Sequence, residues 1–252
     1  MNILVCVKRV PLTGGKITLT DDAQAIQTRH LGFTISPHEE CAVEEAIRVI
    51  ERVGGSVTVL TLGPPEAEEQ LRDMMAIGAD RGIHLVTDGS EWDPQATAGA
   101  IVDAIGSEAE PSDLILFGNE SADAGNFQVA IRVATALGLP VVNGIKALVL
   151  ADARSARCER EVPGGRDVFE LPLPAVVGVK EGINLPRYPS VPGRMRAKRK
   201  PVASSHPVRP EPRLEMVRLE VPEASAKQAE VLGRGPEAAP AVVEVLQEIG
   251  VV

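Results

Sequence analysis

The chain has 252 residues, 44% apolar and 24% charged, a composition that fits a globular fold with a full hydrophobic core and argues against disorder. Its net charge of −9 and its aromatic content of 2% exclude a basic, base-stacking nucleic-acid surface. No apolar run approaches the ~20 residues of a membrane span, and the basic pair Lys8-Arg9 follows the first apolar run instead of preceding it, unlike a secretory leader. Cys6, Cys41 and Cys158 are odd in number and in no CxxC spacing, so the sequence predicts reduced thiols, no zinc site and a cytoplasmic setting.

The first ~150 residues alternate between short apolar runs and longer amphipathic ones. Residues 3–7 are continuously apolar, as a strand buried on both faces is. Residues 39–53 place Cys41, Val43, Ala46, Ile47 and Ile50 at helical spacing. Their start is marked by a capping Ser36, Pro37 at the first helical position and Glu39 three residues after the cap, and Gly54-Gly55 ends the helix. A strand follows at 57–62, a helix to about 77, a strand at 82–86 and a helix from Asp93-Pro94 to about 106. A strand at 114–117 and a helix over 126–137, ended by Gly138, complete the series. The alternation predicts an α/β fold: an open, mostly parallel sheet with helices on both faces.

Beyond residue 140 the pattern changes. Runs at 141–150, 156–162 and 168–171, joined by turns such as Pro163-Gly164-Gly165, predict an antiparallel ribbon or edge. Residues 185–213 hold seven of the twenty prolines and eight basic residues against one acidic, which predicts an exposed, extended arm. Residues 240–249 read as a short amphipathic helix with nothing in its own chain to cover it, so a second chain is expected to do so. This gives three parts: an α/β domain over 1–184, an arm over 185–213 and a tail over 214–252.

In an open parallel sheet, ligands bind beyond the carboxyl ends of the strands. The segment from Gly118 to Val129 leaves such an end and enters a helix. Gly118 and Gly125 permit close backbone approach, the amides of 126–129 can hold a phosphate, and Asp123 can accept hydrogen bonds from a ribose. The bland alternative is a plain strand-to-helix connection, although eight residues exceed the ~2–6 such a loop needs. The strand ends at Cys6-Val7-Lys8-Arg9 and at Leu62, with the Ser36 helix start, line the same crevice. Lys8 and Arg9 are either phosphate partners or a solvated rim. No Walker motif is present, Gly233–Ala238 follows no strand and is no dinucleotide fingerprint, and no catalytic constellation stands out. In the arm, Tyr188, Val191 and Met195 set among prolines and basic residues suggest a protein-docking anchor with a basic rim; a solvated linker is the alternative.

Six blocks in order resemble one family, the β (small) subunit of electron transfer flavoprotein. They are Val7-Lys8-Arg9-Val10-Pro11, the helix block from Ala42 to Arg48, Gly78 to Ile83, Gly118 to Val129, Glu159 to Gly165 with Leu173-Pro174-Ala175-Val176-Val177, and Pro186-Arg187-Tyr188 through Pro201. The resemblance implies an electron carrier and no enzyme. It implies an obligate heterodimer with a larger α subunit holding most of the FAD, and a structural AMP in this subunit. Electrons would come from acyl-CoA and other flavin dehydrogenases and leave to a membrane quinone oxidoreductase. Positions matching the family's AMP pocket are Cys6, Ser36, Pro37, His38, Glu39, Leu62, Gly118, Ser121, Asp123, Gly125, Asn126, Phe127, Gln128 and Val129; Phe127 and Val129 depart from the usual family residues. The arm resembles the family's recognition loop, with Arg187, Tyr188, Val191, Pro192, Met195 and Arg196 as docking residues. Two alternatives remain: a bifurcating relative with a second FAD in place of AMP, and a stand-alone ATP-binding domain of the universal-stress type.

Overall fold

The computed structural model describes residues 1–12, 14, 17–150, 152, 154–221 and 231–251. In chain order the elements are β1 (Asn2–Cys6), β2 (Val10–Pro11), β3 (Phe33–Thr34), α1 (Pro37–Val53), β4 (Ser56–Gly63), α2 (Glu68–Ile77), β5 (Arg81–Val86), α3 (Pro94–Ser107), β6 (Leu114–Gly118) and α4 (Val129–Leu137). There follow β7 (Val141–Leu150), β8 (Ser155–Val162), β9 (Gly165–Pro172), β10 (Ala175–Val179), α5 (Val191–Ala197), β11 (Val202–Ser205) and α6 (Ala239–Glu248).

Nine strands form one sheet in the order β11-β5-β4-β1-β6-β10-β7-β8-β9, and β2 pairs with β3 apart from it. From β11 to β7 all neighbours run parallel; β8 and β9 add the expected antiparallel ribbon. Strands β1 and β6 consist almost wholly of buried apolar residues because helices cover both faces of the sheet. Side chains alternate across it. Ile3, Val5, Leu114 and Leu116 join a core with α1 and α2, while Leu4, Cys6, Ile115 and Phe117 join the opposite core with α3 and α4. Each such buried aliphatic side chain is worth roughly 1.5–3 kcal/mol.

Three features differ from the sequence expectations. Strand β10 lies in the middle of the sheet between β6 and β7, yet the chain reaches it straight from the antiparallel ribbon, with no helix to mark it. The segment 185–213 is not extended throughout: residues 191–197 form α5, packed on α2, and 202–205 form β11, which pairs parallel with β5 at the sheet's edge. An edge strand needs ladder bonds on one side only, which is why a proline-rich segment can join there. Helix α4 starts at Val129 and not at 126, since Phe127 takes a left-handed φ of 55° that no α-helix admits. The tail does form the short helix α6, and none of its residues is buried.

Candidate functional site

The chain leaves β1 for β4 and β5 on one side of the sheet, and β6 lies on β1's other side, followed by β10 and β7. Between β1 and β6 the winding reverses, so the switch point, the crevice where such sheets take their ligands, lies beyond Cys6 and Gly118. The start of α1 closes its floor. Ser36 is extended (φ −73°, ψ 152°) and fully buried, and Pro37 opens the helix. The side chain of Glu39 turns back, and its Oε2 accepts hydrogen bonds from the backbone N–H of Lys8 at 2.9 Å and of Ser36 at 3.4 Å. Glu39 therefore joins the exit of β1 to the entry of α1. Burial pushes its carboxyl up to about 8. The neighbouring Cys6 thiol is pushed well above its ordinary value, first by burial and then by the Glu39 carboxylate.

The loop from Gly118 to Val129 is held to this floor at several points. The Ser36 hydroxyl donates to the Glu120 carbonyl at 3.3 Å. His38 Nδ1 accepts from the Glu181 N–H at 2.7 Å, and its Nε2 faces Glu120 Oε1 at 3.4 Å. Farther along, Asp123 meets the Lys8 ammonium at 2.7 Å, and that ammonium also meets Glu91 at 2.8 Å. Burial alone would raise the Asp123 carboxyl, but the charge of Lys8 together with hydrogen bonds from Lys8, Ser121 and the Ala124 N–H outweighs it and holds the group below the ordinary value. For Lys8, burial works to lower the ammonium's value and is outweighed by Glu91 and Asp123. The Ser121 carbonyl accepts from the Gly125 N–H at 3.1 Å.

Beyond Asp123 the backbone takes an unusual course. Gly125 and Phe127 both have φ of 55°, and Gln128 returns to the right-handed region (φ −112°, ψ −29°). A left-handed residue followed by a right-handed one turns successive N–H groups to one side, the arrangement called a nest, which receives an anion. No side chain caps α4: Gln128 accepts from Arg132 instead, at 2.9 and 3.2 Å. The first amides of α4 and the nest are thus left for another acceptor.

Of the sequence-derived positions, Cys6, Ser36, Pro37, His38, Glu39, Gly118, Ser121 and Asp123 gather around the ends of β1 and β6, and Gly125 through Val129 continue from them along the loop. Leu62 lies near the end of β4, the strand beside β1. Lys8 does not present a free cation, since two carboxylates engage it. The Arg9 guanidinium lies 3.3 Å over the Phe33 ring, and its buried Nε has no hydrogen-bond partner among the described residues. Sequence reasoning missed Glu91 and Glu120. Glu120 sits inside the singled-out loop; Glu91 lies 83 positions from Lys8 with no local signal. A separate cavity of 450 Å³, lined by Glu45, Arg48, Glu51, Arg52, Lys146 and Leu148 among others, lies along the second half of α1, away from the crevice.

The arm's residues divide. Arg187 is turned inward: its guanidinium meets Glu44 at 2.9 Å and Glu51 at 2.7 Å, so it is no free rim charge. Hydrogen bonds to Glu51 and then Glu44 raise its already high value further. Tyr188, Val191 and Met195 are 95%, 77% and 57% exposed, and Pro192 and Arg196 are exposed beside them.

Residues 25–208 match the family model of the electron transfer flavoprotein domain. The chain belongs to the electron transfer flavoprotein family, as a beta subunit. It is 40% identical over 227 residues to the electron transfer flavoprotein subunit beta of Syntrophomonas wolfei, covering 90% of this chain and 88% of that one. Similarity to the subunit beta of Bacillus subtilis is 37% over 204 residues, 80% of this chain and 77% of the relative. To the mitochondrial subunit beta of Arabidopsis thaliana it is 36% over 204 residues, 80% of each. The left-handed turn at Phe127 and the uncapped α4 amides suit an anionic group, and the acids nearby repel one little, Glu39 being pushed toward its protonated form by burial and Asp123 being paired with Lys8.

Proposed function

We propose that this chain is the small subunit of a heterodimeric electron carrier, holding AMP between β1 and β6 and docking flavin dehydrogenases through its arm. The observation that carries the reading is the similarity to beta subunits over 90% of the chain. The nest at Phe127–Gln128 supports the AMP assignment. AMP supplies no redox chemistry when bound; FAD, held mainly by the larger α subunit, supplies the one- and two-electron steps.

The residues of this chain bind, orient and dock. The amides of Phe127 to Val129 would hold the phosphate, and Gly118 lets the loop lie against α1. Asp123 and Lys8 fix the loop to the end of β1. The exposed apolar face of α6, with Val242, Val243 and Val245 between 37% and 47% exposed, suits a cover from the α subunit. Electrons would enter from acyl-CoA and other flavin dehydrogenases docked on Tyr188, Val191 and Met195, and leave to a membrane quinone oxidoreductase. No helix among the described residues is long and apolar enough to cross a membrane. The carrier would work in the cytoplasm and meet that oxidoreductase at the membrane surface.

The test is purification of the tagged chain from its own host. The account expects a larger second chain and a flavin that an acyl-CoA dehydrogenase reduces in the presence of substrate. A chain recovered alone, without flavin, overturns it.

A further inference from the structure

Helix α5 has seven residues, well short of the ~12–15 at which an isolated helix holds its shape in water. What fixes it is an exchange of side chains between its own end and the end of α2. From α2, Arg72 donates through Nη1 to the carbonyls of Ala197 and Lys200, each at 2.7 Å. These are carbonyls at and just past the end of α5, which lack partners within the helix. The guanidinium is aimed by Glu68, which accepts from its Nε and Nη2 at 3.0 and 2.8 Å. In the reverse direction Lys200 extends its ammonium to the carbonyls of Met75 and Ala79, at 3.1 and 2.6 Å, at the end of α2. A cation at each C-terminus also answers the helix dipole.

The backbones are as close as the chain allows. A Cβ on Gly193 would stand 2.4 Å from the Ala76 carbonyl oxygen, so only glycine fits. The Ser190 hydroxyl caps the start of α5, accepting from the Gly193 N–H at 3.1 Å. Ala197 is buried in the core shared with α1 and α2. The inner side of α5 is therefore fully used, and Tyr188, Val191 and Met195 are left facing out, with exposed Arg196, Lys198 and Arg199 following.

We infer that Arg72 and Lys200 form a two-way carbonyl clamp that holds α5 against α2 and so presents Tyr188, Val191 and Met195 as a preformed docking face for an apolar cleft with an acidic rim on a partner dehydrogenase. The inference rests on the docking role given to the arm above. The charge of the rim names the partner's chemistry: three exposed cations within four residues meet carboxylates. A face ordered before encounter loses less conformational freedom on binding, so the clamp acts on affinity and not on the electron-transfer step. Arg72 and Lys200 are positioning residues, since neither faces the partner.

The experiment uses the intact heterodimer and a reduced acyl-CoA dehydrogenase as the probe, with variants Arg72→Met, Lys200→Met and Val191→Asp. KM for the carrier and kcat are measured separately, and backbone amide exchange is followed over residues 190–205. The clamp predicts KM raised about three- to tenfold in each Met variant with kcat unchanged, and amides of 194–200 exchanging about tenfold faster while those of β1 and β6 do not change. Val191→Asp raises KM about tenfold or more by placing a charge among the partner's carboxylates. If Val191→Asp raises KM but neither Met variant does, or if the 194–200 amides are unaffected in both, the clamp is overturned and the docking role stands. If Val191→Asp leaves KM unchanged, the docking role and the clamp's purpose both fall.

Discussion

Glu39 and Gly118 share one space at the reversal point of the sheet: a Cβ on Gly118 would stand 2.6 Å from the Glu39 Cγ and 3.1 Å from its backbone nitrogen. The carboxyl of Glu39 is fixed by two backbone donors, and Gly118 belongs to β6, so neither side yields easily. Gly118→Ala is expected to cost about 1–3 kcal/mol as an overpacked site. Calorimetry would show it as a lowered melting temperature, at about 2–4 °C per kcal/mol for a chain of this size. Nucleotide content should fall in the same variant, because the loop would be pushed off the start of α1.

The raised value of Glu39 sets a pH dependence. Its carboxyl titrates near 8 in the fold against 4.5 in the open chain, so the folded state binds the proton more tightly. Stability therefore declines as pH rises from about 4.5 through about 8, the window between the two values. Glu39→Gln retains an oxygen for the Lys8 and Ser36 amides and removes the titration. Its urea midpoint is expected to gain on the wild type between about pH 5 and pH 8; parallel profiles would contradict the assignment.

Arg187 and Glu44 tie the arm to α1 across 143 positions of sequence. Burial alone would raise the Glu44 carboxyl, but hydrogen bonds from Arg187 and Arg48 hold it below its ordinary 4.5. The stability this pair contributes is fully present above 4.5 and is lost as pH falls through the lower folded value. Arg187→Met is expected to cost about 1–3 kcal/mol at neutral pH, since Glu44 is buried and loses donors. The loss relative to wild type should shrink in acid, which paired urea titrations at pH 7 and about pH 3 would show.

What the sequence made legible is what local patterns carry. The apolar runs of β1, β4 and β6 and the Ser36-Pro37-Glu39 start of α1 are each written within a few residues, and the parallel sheet follows from their alternation. Strand β10 was not legible as a central strand because its neighbours in the sheet, β6 and β7, are not its neighbours in sequence. Basic, proline-rich 185–213 read as an arm because its helix is made by contacts with α2, through Arg72 and Gly193, and not by its own propensity. Arg187 read as a rim charge for the same reason: its partners Glu44 and Glu51 lie on α1. Within the crevice, Gly118 and Asp123 were visible from residue type and place. The left-handed turn at Phe127 was not, since aromatic residues seldom adopt it.

Helix α6 buries none of its residues against the rest of this chain. Removal of residues 231–252 should therefore leave the melting temperature of the isolated subunit within about 2 °C, as expected for loss of a surface segment. The same truncation is expected to weaken association with the α subunit, read by size-exclusion chromatography of the co-expressed pair. Unaltered association would show that α6 does not carry the subunit contact.

The account's central claim is that the crevice between β1 and β6 holds AMP in a single-flavin electron carrier. Mass spectrometry of the nucleotides released on denaturing the purified complex tests it most directly. One AMP and one FAD per pair of chains is the predicted result. Two FAD and no AMP would contradict it and assign the chain to the bifurcating class; ATP or ADP without flavin or a second chain would contradict the carrier itself.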